Sequence, residues 1–240
     1  MISIAGKELH QFFSSLTGYI TIILFLLVNA LYLFVLKDSN LFDFGYATLV
    51  NFFELAPWIF IFLIPALSMR SFADELKTGT FETLQTRPLT PSQIVLGKYT
   101  AIVVVILIAL IPTLLYVFTI HSLSATGAID TGGITGSYIG LIFLASVFAA
   151  ISIWCSSLTS NAVIAFLVSA FACLILYFGF SAISKLPVFF GNADYYIEML
   201  GIDFHYQSIS RGVIDTRDII YFLSIIFLFL FATQKNLQKK

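Results

Sequence analysis

Apolar residues along this chain gather into six runs, roughly Tyr19 to Leu36, Leu55 to Met69, Tyr99 to Ile120, Tyr138 to Cys155, Ala162 to Ile183 and Ile219 to Thr233, parted by shorter polar stretches. A helix that crosses a bilayer needs about 17 to 25 predominantly apolar residues. The pattern therefore predicts an all-α polytopic membrane protein with six transmembrane helices in a single domain over residues 1–240. The second and sixth runs are short for a full crossing, so they are expected to extend into flanking polar residues or to sit where the bilayer thins. The first run is too long for a secretory h-region and lacks a small-residue cleavage site, which marks it as a retained span.

Between these runs the polar positions carry their own structural signals. In residues 1–18, Ile2, Ala5, Leu9, Phe12, Phe13 and Leu16 recur at helical spacing, while Ser3, Lys7, Glu8, Gln11 and Ser14 fall on the other side of the wheel. That pattern predicts a helix lying in the headgroup region, with Gly18 breaking the direction before the first span. Pro57 and Pro65 predict kinks in the second span. Within 70–98, Ser71 to Thr78 predicts a short helix stopped by Gly79, and Thr80 is expected to cap a second one running to about Thr86. Thr90, Pro91 and Gln93 then supply N-cap, N1 and N3 of the third spanning helix, a capping box.

Gly132, Gly136 and Gly140, spaced by four, line one face of the fourth span and predict close helix packing there. Trp154 to Asn161 is expected as a short polar turn that makes the fourth and fifth spans antiparallel neighbours. The segment 184–217 is too polar to span. Its apolar patches predict short helices dipping into the outer leaflet, and Asp215 and Asp218 are placed at N-cap and N3 of the last span.

Composition agrees with a membrane protein and charge orients it. Hydrophobic residues make up 59% of the chain and mean hydropathy is +0.99, beyond the roughly 45 to 50% apolar content of soluble domains. With the N-terminus inside, Lys7, Arg70, Lys77, Arg87, Lys98, Lys235, Lys239 and Lys240 are cytoplasmic, whereas Lys37, Lys185, Arg211 and Arg217 are outside. This excess predicts cytoplasmic N- and C-termini and a cytoplasmic 70–98 loop. The formal net charge of -1 argues against nucleic-acid binding, which needs a basic patch.

No catalytic constellation emerges. HExxH, GxSxG and paired intramembrane aspartates are absent from the sequence, and Gly97-Lys98 is followed by Tyr99 rather than the Ser or Thr of a P-loop. His10, His121 and His205 fall on both sides of the proposed membrane and are expected to be boundary residues, not one metal site. Cys155 and Cys173 lie in apolar runs as packing residues. Asn29 is expected to bond a neighbouring helix, and Glu54 lies at the outer mouth of the second span. The chain is therefore expected to be non-enzymatic and free of cofactors, with any ATP hydrolysis done by another subunit.

Glu75, Gly79, Thr80, Glu82 and Leu84, followed by Arg87, Pro88, Leu89, Ile94, Val95, Leu96, Gly97 and Lys98, resemble the loop between the second and third spans of type-2 ABC exporter permeases. Lys7 to Leu9 with Phe12, Phe13, Gly18 and Tyr19, then Ala56 to Trp58, Ile64 to Ala66, Ile129 to Gly133 and Gly136 to Leu141, are similar to the gliding motility-associated permease subunits of Bacteroidetes-type bacteria. The resemblance implies a permease in the bacterial inner membrane, paired with a second permease chain and driven by a cytoplasmic ABC ATPase. It further implies that Asp74, Glu75, Gly79, Thr80, Phe81 and Glu82 form the docking surface for that ATPase. A non-transporting anchor for an ATPase, or an exporter of lipid, polysaccharide or ion without a motility role, also fits these residues.

Overall fold

A computed structural model describes residues 2–36, 48–80, 82, 90–124, 129–187 and 192–238. These residues are almost wholly helical and contain no strands, and six stretches are long and apolar enough to cross a membrane. In chain order the helices are α1 (Ile2–Ser14), α2 (Leu16–Phe34), α3 (Val50–Ser68), α4 (Arg70–Thr78) and α5 (Pro91–Leu110). A 3₁₀ turn (Ile111–Thr113) joins α5 to α6 (Leu114–Leu123), and α7 (Thr131–Leu158) and α8 (Ala162–Leu174) follow. A π turn (Ile175–Gly179) leads into α9 (Phe180–Ser184), then come α10 (Asn192–Glu198), α11 (Ile202–Ser210) and α12 (Thr216–Leu237).

The fold is organised around α7. It is buried on every side from Leu144 to Ile153, the mark of a helix with neighbours all round. Its neighbours are α3, α4, α5, α8, α11 and α12. Small residues such as Ala145, Ala149 and Ala150 let them approach, while Phe148 and Ile151 fill the space between. The outer helices turn apolar faces away from the protein: Ile23 and Leu27 on α2, Phe171 on α8, and Phe227 and Leu228 on α12 are all exposed. Such surfaces suit lipid, where apolar exposure carries no penalty.

The spans run longer than hydropathy alone suggests. The second covers Val50–Ser68, 19 residues, and the sixth Thr216–Leu237, 22 residues, or roughly 28 Å and 33 Å at 1.5 Å per residue. No thinning of the bilayer is needed to accommodate them. Trp154 to Asn161 is mostly the last turn of α7, because Ser156 and Ser157 find partners on other helices and are buried. Only Thr159 to Asn161 connects, with Asn161 Oδ1 accepting from the backbone N–H of Val163 (2.9 Å). Gly18 lies inside α2, and the break falls at the extended Ser15. A side chain at Gly18 would meet the Phe12 carbonyl oxygen at 2.8 Å, so its role is close approach of α2 to α1.

One further placement differs from the pattern-based expectation. Asn29 donates to the Phe25 carbonyl of its own helix at 2.7 Å rather than to a neighbour. Asp215 does cap α12, accepting from the Arg217 N–H at 2.9 Å, and that bond holds its carboxyl below the usual range. Asp218 takes the N3 place as expected and turns its side chain inward to His205. The Thr90/Gln93 capping box starts α5, with reciprocal bonds of 3.4 and 3.2 Å.

Candidate functional site at the α4 junction

Helix α4 begins where α3 ends, at Met69, which offers no side-chain cap. The first N–H groups of a helix have no partner within it. Here a hydroxyl from another helix supplies one. Ser156 on α7 accepts from Phe72 N (3.0 Å) and Ala73 N (3.2 Å) while donating to Met69 O (3.0 Å). α4 is thus capped in trans, and its start is fixed to the central helix. At its other end Gly79 adopts φ +69°, a left-handed conformation that glycine enters without strain and that ends the helix.

A second anchor is a buried lysine. Lys98, one turn into the apolar body of α5, is 2% exposed. Its Nζ donates to Glu8 Oε1 on α1 (3.0 Å), Glu75 Oε1 on α4 (2.8 Å) and Ser71 O on α4 (2.7 Å). Three acceptors match the three N–H groups of an ammonium. The ammonium also lies 5.1 Å from the centre of the Phe72 ring, within cation–π range. One cation therefore holds three helices together, and α1 packs along α5 beside it. A buried charge that loses its partner is destabilising by about 3 to 5 kcal/mol, so the junction is held as a unit. Beside it a polar cavity of about 210 Å³ is lined by Gln11, Arg70, Asp74 and Glu75 among others.

Of the residues expected to meet a partner, Asp74, Gly79, Thr80 and Glu82 are exposed, and Phe81 lies outside the described residues. Most of the helix expected after Thr80 also lies outside them. Glu75 does not share this surface: one carboxylate oxygen is spent on Lys98 and the other is buried. Glu8, placed by periodicity on the water-facing side of α1, is buried for the same reason, while Ile2 from the apolar stripe is 86% exposed. The pattern gave neither Lys98 nor Ser156 an anchoring role. The available signals were a lone lysine entering an apolar run and a Ser-Ser pair closing one. Asn236 adds a third tie, donating from Nδ2 to Ser157 O at 2.8 Å and so joining α12 to α7.

At the opposite end of the bundle the glycine stripe receives α11. A side chain at Gly136 would strike the Ile209 carbonyl oxygen and come within 2.8 Å of Gly212 Cα, and one at Gly140 would press on the Tyr206 ring at 3.2 Å. Gly212, at φ +84°, packs against the backbone of Gly132. Tyr206 donates to the Phe53 carbonyl at 2.7 Å, which is the acceptor that Pro57, four residues on and lacking an N–H, leaves open. Burial, with Asp203 and Glu54 nearby, raises the Tyr206 hydroxyl above its ordinary range, so it stays a donor. His205 pairs with Asp218 (2.6 Å) and Met199 O (2.9 Å) and stacks on Tyr221 at 3.8 Å. Among the described residues no three His, Cys, Asp or Glu side chains converge as a metal site.

Comparison with the curated proteins finds no match for this sequence. The family described as ABC-2 family transporter protein matches residues 2–188. That match takes in α1, the first five spans and both anchors of α4. The chain thus belongs to the ABC-2 family of transporter proteins, as a multi-pass membrane permease whose family implies an ABC ATPase partner.

Proposed function

We propose that this permease is worked from the cytoplasm by a separate ATPase that docks on the exposed face of α4 and its continuation, at Asp74, Gly79, Thr80, Phe81 and Glu82. The observation that carries this reading is the Lys98 junction, which ties α4 to α1 and α5. A helix bonded at its start to α7 and along its inner face to α5 passes a push directly into the membrane body. Glu75 acts here as a positioning residue: it orients α4 and leaves Asp74 and Glu82 to present charge outward.

In this reading α1 lies at the cytoplasmic face, 70–98 form the coupling loop, and 184–217 the outer segment. Both termini lie in the cytoplasm of a bacterium whose inner membrane holds the protein, and a second permease chain, identical or related, completes the path. Likeness to gliding motility-associated permeases supports motility as the process served. Reversing Asp74 and Glu82 to Lys in one variant is expected to abolish co-purification of the ATPase while membrane insertion is retained. Undiminished co-purification would remove α4 as the docking element.

A further inference from the structure

A second cavity, of about 480 Å³, opens at the far end of the bundle between α3, the π turn and α11. Its volume falls in the range of small-molecule sites. Phe53, Trp58, Tyr177, Phe178 and Tyr206 supply an aromatic wall, and Glu54, Asp203 and Arg211 supply charge. The π turn (Ile175–Gly179) brings the successive residues Tyr177 and Phe178 to the same cavity, their rings 4.5 Å apart. Such turns recur at functional sites because they re-aim side chains. Trp58 stacks on Phe178 at 4.3 Å and is still 47% exposed.

The charges here have no ionic partner among the described residues. Among the described residues the ion pairs lie at Lys98 and His205, leaving Glu54, Asp203 and Arg211 unmatched. Asp203 accepts a neutral bond from Gln207 Nε2 at 2.9 Å. Aromatic faces beside carboxylates suit an ammonium, which both attract. A guanidinium in the same cavity suits an anion.

We propose that this vestibule binds a zwitterion, an ammonium joined to an anionic group, with the ammonium held by Glu54, Asp203 and the aromatic wall and the anion by Arg211. The ligand is either a free solute or the headgroup of a lipid. The site stands whether or not an ATPase docks on α4.

Trp58 and Trp154 are the two tryptophans of the chain, so Trp154→Phe leaves Trp58 as the sole reporter. In the purified full-length protein, Trp58 emission is expected to respond saturably to phosphocholine and more weakly to choline. It should not respond to 3,3-dimethylbutanol, the neutral isostere of choline. Glu54→Gln, at an exposed position that leaves the fold intact, should weaken both ligands about tenfold, the scale of one lost charge–charge contact near the protein surface. Arg211→Gln should reduce phosphocholine to the level of choline. In nanodiscs, phosphatidylethanolamine that competes with phosphocholine, where phosphatidylglycerol does not, assigns the site to a lipid headgroup; absence of competition assigns it to a free solute. No saturable response, an equal response to the neutral isostere, or unchanged binding in both variants would overturn the proposal.

Discussion

The two ends of this bundle use buried charge in opposite ways. At the α4 end a lysine with a long, flexible stem reaches carboxylates on two other helices and a backbone carbonyl. At the α11 end a short, rigid imidazole meets one carboxylate and one carbonyl between adjacent helices. Met199 O can only accept, so His205 Nε2 donates to it while Nδ1 faces the Asp218 carboxyl group. This end is further stiffened by aromatic stacking and by glycines that bring backbones into contact. At the α11 end backbone meets backbone at the α7 glycines, whereas the α4 end is held by a few ionic and hydrogen-bonded ties. An element fixed by discrete ties can shift as one body when pushed. One fixed by backbone interlock cannot.

The largest effect that would break this contrast is at Lys98. Lys98→Met leaves Glu8 and Glu75 buried without their cation and should destabilise the protein by about 3 to 5 kcal/mol in unfolding measurements in detergent. Adding Glu8→Gln and Glu75→Gln should recover most of that stability while transport-linked ATPase stimulation stays lost. Recovery of both would mean that the junction only stabilises the fold. At the other end, Gly136→Ala should cost about 1 to 3 kcal/mol, because the new methyl group meets the backbone of α11, with the melting temperature as readout. A smaller effect on stability belongs to Ser156→Ala. Loss of the trans cap should cost about 1 to 2 kcal/mol and appear as faster amide exchange at Phe72 and Ala73, while α11 amides stay unchanged. Equal acceleration at both ends would erase the distinction drawn between them.

Much of this architecture was legible in residue order because each signal was local. Six apolar runs, the Thr90/Gln93 capping box, the Gly79 stop and the Asp215 cap depend on neighbours within four positions, and all are present in the structure. What escaped depends on partners far along the chain. Glu8 belongs to the polar side of a helical wheel until Lys98, 90 residues away, draws it inward. Ser156 looks like a turn residue until Met69 and Phe72, more than 80 positions earlier, claim its hydroxyl. Glu75 matched a docking motif by type and spacing, but its inward orientation is set by α5. The carbonyl that Pro57 frees was readable, whereas the tyrosine that satisfies it lies 153 residues from Phe53.

The central claim is that α4, locked to α1 and α5 through Lys98, faces the compartment that holds the ATPase. Asp74 is exposed and the native Cys155 and Cys173 are buried, so Asp74→Cys gives a single accessible thiol. With a membrane-impermeant maleimide this thiol should stay unlabelled in spheroplasts and become labelled in inverted membrane vesicles. Labelling in intact spheroplasts would put α4 on the wrong side of the membrane for any cytoplasmic motor and contradict the account.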